Sequence, residues 1–318
     1  MWFMSRYGKS YLLISVLILA AATSASAQSP SVDDIVDRAG NQTSAYIETF
    51  RNLLSQENKT FEIYGKNGDV KKRRTVTSTF IVYPLTKDEK RIAEFRNVLE
   101  VDGKKLNNAD SRAQDFFQKI VRAESSQKEL EQIDKESSRF DQDFAITGMT
   151  LFQSPVLAPE MRPFFQFRLD GNETVDGSNY YVISYEQTKP SPDIVVNSKE
   201  PDYGKSYHQY YDVDVDREGE LNPRIKGKLW IDAATFQIHK EIRQLTLQPE
   251  GASSPITAVT DEFEYQPSQF GIQTPKLIRH TQYAAKTRPA TSQKQVVISM
   301  EYGNFTKPDV EVKSAEVK

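Results

Sequence analysis

The chain has 318 residues, with 41 Lys and Arg against 44 Asp and Glu, and a formal net charge of −3. Hydrophobic residues are 38%, charged residues 27% and aromatic residues 11%, a mixture that excludes collagen-like and wholly disordered chains. No basic excess exists to hold a phosphate backbone, so nucleic-acid binding is excluded as a main role. The chain has no Cys, which excludes disulfides, thiolate-held zinc and thiol catalysis together.

Arg6 and Lys9 precede a short apolar run over residues 11–22, and Ala25-Ser26-Ala27 has the small-x-small form of a cleavage site. This pattern predicts a signal peptide over 1–27, cleaved before Gln28, and export to the periplasm. A spanning helix needs roughly 20 apolar residues, and the run falls well short of that. No later segment approaches a second span, so the mature chain is predicted to carry no transmembrane segment.

Residues 31–54 read as a helix. Ser31 with Asp34 three residues on forms a capping-box pattern, and Val36, Ala39, Thr43, Tyr46, Ile47, Phe50, Leu53 and Leu54 fall on one stripe. Gly40 and Asn41 weaken it locally. Residues 59–64 and 73–83 read as a hairpin around the turn-forming run 65–69, and a third strand follows over 91–101. Residues 110–138, within an insert of about 108–140, return to helical spacing through Ala113, Phe116, Phe117, Ile120, Leu130 and Ile133. The charged stretch 124–136 reads as its solvated face.

From 162 to 305 the chain alternates with a period of two. Phe165, Phe167 and Leu169 lie on one face, as do Tyr181, Ile183 and Tyr185, then Leu229 and Ile231, and then Phe236, Ile238 and Ile242, which would leave Glu241 and Arg243 on the wet face. Val259, Phe263 and Tyr265 follow, then Val296, Ile298, Met300 and Tyr302. One-sided alternation means antiparallel strands packed on one side. Turn signals stand between them, including 170–172 and 176–177. The Pro- and Ser-rich run 189–205 reads as a loop or flap. The fold class is therefore α+β: a large curved antiparallel half-barrel sheet in one domain, 28–318, covered by the N-terminal helix and the mid-chain helical segment.

A search for chemistry finds no catalytic residue. His208, His239 and His280 lie in no metal-ligand spacing and read as surface residues. Asp212, Asp214 and Asp216 lack the glycine and the closing carboxylate of a calcium loop, with Arg217 and Pro223 at those places, and read as one wet strand face. No nucleophile elbow, phosphate-binding loop or dinucleotide pattern occurs. No metal and no cofactor is implied.

The aromatic load does stand out, with 17 Phe and 15 Tyr. The order of elements, with the segment Gly227-Lys228-Leu229-Trp230-Ile231-Asp232 followed by the strand 235–241, resembles the exported lipoprotein-carrier (LolA/LolB-type) superfamily. More closely, the stretches 95–103, 161–169, 181–186 and the Gly227 hairpin are similar to an uncharacterised family of exported bacterial proteins. The resemblance implies an unclosed barrel with a helical lid and brings no reaction with it. The chain is longer than a typical carrier, chiefly at 110–138 and 189–205.

These readings together predict a non-catalytic periplasmic binding or carrier protein. A lipid, a lipoprotein acyl chain or another amphiphile would lie on a concave apolar face made by Phe80, Val82, Phe165, Phe167, Tyr181, Ile183, Leu229 and Ile231, with Arg168 or Arg243 at its rim. The alternative is a cell-envelope structural or protein-interaction module with a filled core, which docks an envelope protein through a sheet edge or the Pro-rich loop. An enzyme would require a buried Asp or Glu with a partner facing a pocket.

Overall fold

The computed structural model describes residues 30–86, 88, 91–141, 148–197, 209–216, 221–248, 254–287 and 290–307. The segment 1–27 read as a signal peptide, His208 and the second half of the 189–205 run lie outside these residues.

Helix α1 spans Val32–Phe50, and its capping box forms as read: Ser31 accepts from the Asp34 N–H, and the Asp34 side chain accepts from Ser31. The helix stops before Leu53 and Leu54, because Leu54 already opens the first strand. The strands are β1 Leu54–Tyr64, β2 Val70–Pro84, β3 Ile92–Val101 and the two-residue β4 Lys104–Lys105. Helices α2 Ala109–Ile120 and α3 Ser126–Ser137 follow. A segment with two short 3-10 turns, Pro155–Leu157 and Arg162–Phe164, leads into β5 Phe165–Val175 and β6 Ser178–Gln187. The remaining strands are β7 Ile194–Val196, β8 Gln209–Tyr211, β9 Pro223–Asp232, β10 Ile238–Leu247, β11 Ile256–Pro267, β12 Gln273–Thr287 and β13 Ala290–Thr306.

Eleven strands make one antiparallel sheet in the order β4-β3-β2-β1-β13-β12-β11-β10-β9-β6-β5. β4 and β5 are its edges, so it is open rather than closed. It is also wrapped. From β2 to β5 is eight strand steps, about 38 Å if flat at ~4.8 Å per step. The 19-residue α1 is only about 28 Å long, yet it packs against β5 and β10 and sets Phe50 beside Phe80 of β2.

The two faces carry separate cores. The inner face, under α1 and residues 148–164, is one large cluster that includes Phe50, Phe80, Leu157, Ile183, Leu229 and Tyr265. On the reverse side of β2 and β3, Phe95 and Ala93 meet Ile120, Leu130 and Ile133 of α2 and α3 in a second, smaller core. Ala93 and Phe95 point away from Glu94 and Arg96 by simple strand alternation. The mid-chain helices therefore cover the outer face at β3. Helix α3 also caps that strand's free edge, where Ser137 Oγ accepts from Arg96 N and donates to the Glu94 carbonyl.

Three expectations about turns, loops and strand phase change. Residues 170–172 do not turn; β5 runs through them with a bulge between Leu169 and Gly171. The described part of the 189–205 run is no free flap, because Ile194 is buried and β7 pairs in parallel with β8. In β10, a bulge between Ile238 and Lys240 shifts the phase. Ile242 then faces outward, and Glu241 and Arg243 turn into the core.

Candidate functional site

The inner face is apolar in bulk, as the alternation demands, but two groups of charges are buried within it. The first is built by β1, β3 and β13. Arg96 Nε donates to both oxygens of Glu57, at 2.8 and 3.0 Å, and its Nη1 lies 3.1 Å from Glu94. Tyr302 Oη donates to Glu57 at 2.7 Å. Beside it, Lys59 Nζ meets Asp141 at 2.8 Å, with both side chains almost wholly buried. Burial works against the Glu57 carboxylate, but the Arg96 and Lys59 charges more than offset it and hold its pKa below the ordinary range. Burial likewise opposes the Arg96 cation, which Glu57 and Glu94 overcome.

The second group is built by β6 and β10. Arg243 donates to both oxygens of Glu241 at 3.0 Å, and Tyr185 Oη donates to Glu241 at 2.6 Å. Gln209 of β8 accepts from Arg243 and from Tyr211. Burial, then the adjoining Glu241, pushes the Tyr185 hydroxyl well above its usual range, so it stays a donor. On neighbouring strands His280 Nδ1 lies 2.6 Å from Asp261. These carboxylates are engaged by cations and hydroxyls on several sides, an arrangement that holds charge in place.

The segment 148–157 is a strap that connects the two groups. Thr150 N and Leu151 N donate to Glu94 Oε1, and Thr150 Oγ1 is 2.6 Å from Tyr302 Oη. At its other end Ser154 Oγ donates to Glu241 Oε2 at 2.6 Å. Helix α1 lies on the strap, with Tyr46 Oη donating to the Thr150 carbonyl, Arg162 pairing with Asp37, and Arg38 stacked over Phe236. Gly40 leaves the room Arg162 needs, since a Cβ there would collide with its guanidinium. The residue that weakens α1 as a helix is the one that lets it dock.

Phe80, Ile183, Leu229 and Ile231 are wholly buried, Val82 and Phe165 nearly so, and Phe167 and Tyr181 half-buried. All eight belong to or pack on the one inner core. Arg168 sits on the exposed outer face. Arg243, expected at a rim, is 5% accessible and interior. Neither His239 nor His280 is a plain surface residue: His239 stacks on Tyr180 with centroids 4.5 Å apart, and burial lowers its pKa. An open groove of about 570 Å³ lies on the reverse face across β5, β6, β9 and β10, edged by Gln166, Arg168, Glu186, Lys226, Trp230 and Gln244. Among the described residues no three His, Asp or Glu gather as a metal set. No described helix is long and apolar enough to cross a membrane.

Sequence reasoning missed the buried charges and the strap. Their only trace was Glu57, Lys59 and Arg96 standing at positions where the strand alternation calls for apolar residues.

This architecture is an open antiparallel sheet whose inner face is covered by an N-terminal helix and a strap. Solved structures similar to it include a domain from Vibrio parahaemolyticus described as an outer membrane lipoprotein-sorting protein, at 9% identity and TM-score 0.38, covering 89% of this chain and 96% of that one. A DUF1329 family protein from Desulfovibrio piger matches at 11% identity and TM-score 0.31, covering 89% and 95%. A LolA superfamily protein from Nitrosomonas europaea matches at 11% identity and TM-score 0.29, covering 89% and 96%. At these identities and TM-scores the matches are likenesses only and say nothing of what this chain binds or does. No family model and no curated protein matches the chain.

Proposed function

We propose that this is an exported, periplasmic, non-catalytic binding or carrier protein, and that the structure is its closed form. The inner face is the binding surface, and α1 with the strap is its cover. A lipid, a lipoprotein acyl chain or another amphiphile would enter as the cover lifts, and would lie against Phe80, Val82, Phe165, Phe167, Tyr181, Ile183, Leu229 and Ile231. The observation that carries this reading is the nature of the cover. An amphipathic helix lays Tyr46 and Phe50 onto Phe80, Tyr265 and Phe305, an aromatic surface that an alkyl chain would cover equally well. The helix has no backbone ladder to the sheet, and its polar ties to the rest of the described residues are the few named above.

The second reading, an envelope interaction module with no small ligand, is favoured by one observation: Phe80, Ile183, Leu229 and Ile231 have no accessible surface. One experiment separates the two. Purify the protein from its native compartment, record native mass spectra, and measure melting temperature with added amphiphiles. A co-purified lipid, or a melting temperature that rises with amphiphile concentration, is expected of a carrier. An empty protein that no amphiphile stabilises, recovered with an envelope protein, overturns the carrier reading in favour of the module.

A further inference from the structure

The strap's contacts specify the chemistry of what could replace it. We propose that the guest is an uncharged amphiphile whose head group carries amide N–H or hydroxyl donors, and that this head takes the strap's place at Glu94 and Glu241. The proposal rests on the carrier reading and narrows it.

Every polar anchor of the strap on these two carboxylates is a donor. Glu94 Oε1 accepts from Thr150 N at 3.1 Å and from Leu151 N at 3.0 Å. Glu241 Oε2 accepts from Ser154 Oγ at 2.6 Å. Glu94, Glu241, Thr150, Leu151 and Ser154 are all buried, so an occupant that brought no donors would strip Glu94 Oε1 of both its hydrogen bonds and leave Glu241 Oε2 with Arg243 alone, away from water. Arg96 holds Glu94 through its other oxygen and Arg243 holds both oxygens of Glu241, so each carboxylate keeps its place when the strap leaves.

An anionic head fits poorly. The first group sets Glu57, Glu94 and Asp141 against Lys59 and Arg96, one negative charge in excess. A carboxylate or phosphate would bring further acceptors and like charge into a low-dielectric interior. An amide head supplies donors and also a carbonyl, and the buried donors without a hydrogen-bond partner among the described residues include Arg96 Nη2 of the first group and Gln209 Nε2 of the second.

The strap itself is built to be replaceable. It forms no strand ladder, and Gly148 and Ser154 both hold positive φ, +78° and +38°. Left-handed backbone at a non-glycine residue persists where surrounding contacts impose it, and the Ser154–Glu241 bond is such a contact.

The test uses three probes of equal chain length below their micelle concentrations: dodecanoyl ethanolamide, methyl dodecanoate and dodecanoate. Melting temperature and titration calorimetry are read on the full mature protein and on Ser154→Ala. The ethanolamide alone is expected to bind and stabilise. Ser154→Ala loosens the strap and should tighten that binding by roughly ten- to a hundredfold, the effect of one hydrogen bond to a charged acceptor. Equal or stronger binding of dodecanoate or the methyl ester overturns the head-group proposal and leaves the carrier reading intact. Binding of none of the three, to either protein, overturns both.

Discussion

The hydroxyl of Tyr185 on β6 donates to Oε1 of Glu241 on β10 at 2.6 Å, reaching over the whole of the intervening strand β9. Gly227 makes the crossing possible. It is the β9 residue paired with both Tyr185 and Arg243, and a Cβ there would come within 2.4 Å of the Tyr185 oxygen and 2.3 Å of the Ile242 carbonyl. The second of these is backbone and cannot swing aside. Gly227→Ala should therefore destabilise the protein by about 2–3 kcal/mol through overpacking and the displaced bond. Tyr185→Phe should cost about 2 kcal/mol, the loss of a hydrogen bond to a charged acceptor. Urea unfolding of the two single variants and the double variant checks the coupling: the double should lose clearly less than the sum.

Arg96 is the cation shared by Glu57 and Glu94. Arg96→Met leaves two buried carboxylates facing each other and should cost about 3–5 kcal/mol. Adding Glu57→Gln should restore part of that loss. The pKa of Glu57 is held low in the folded state, so its contribution to stability is present above its ordinary value and is lost as pH falls through the lowered one. Unfolding curves from neutral pH downward should show this acid limb in the parent and not in Glu57→Gln.

Asp134 of α3 behaves in the opposite sense. Burial, then the nearby Glu94, raises its pKa from 3.8 to about 7. A carboxyl with a raised folded pKa favours folding fully below its unfolded value, and that benefit fades as pH climbs through the folded one. Stability from this group should thus decline between about pH 4 and pH 7. Asp134→Asn should match the parent near pH 4 and exceed it at pH 8, by on the order of 1 kcal/mol once solvent screening at this partly exposed position is allowed for. Thermal melts at the two pH values decide it, and a parent superior at pH 8 would contradict the assignment.

Phe50 fixes the C-terminal end of α1. Its ring stacks on Tyr46 with centroids 4.9 Å apart and lies about 6 Å from Phe80 and Phe305. Phe50→Ala should cost about 3–4 kcal/mol. Hydrogen exchange should accelerate first in α1 and in residues 148–157, which Tyr46 joins through Thr150. Uniform acceleration across β11 to β13 would mean that the helix is part of the global core rather than a separable cover.

Most local structure was legible because it is written in local terms. The Ser31–Asp34 box, the three-and-four spacing of α1 and the period-two runs of β5, β6, β9, β11 and β13 each need only a few neighbouring residues to declare themselves. The eight apolar residues named for the inner face were legible for the same reason. Glu241 and Arg243 were not. Their face depended on a bulge at the start of β10, and a single inserted residue reverses every side chain after it. Gly40 looked like a flaw in a helix until Arg162, 122 positions away in the chain, appeared against it.

The amino-acid order alone settled the fold class and, outside β10, the inward and outward faces of the strands named above, because backbone periodicity and turn chemistry act between near neighbours. Folding in three dimensions decided which charges could be buried, where α2 and α3 would sit, and that the strap would lie across Glu94 and Glu241. Each of those outcomes depends on partners from distant parts of the chain, and a charge is tolerated inside only when such a partner arrives to meet it.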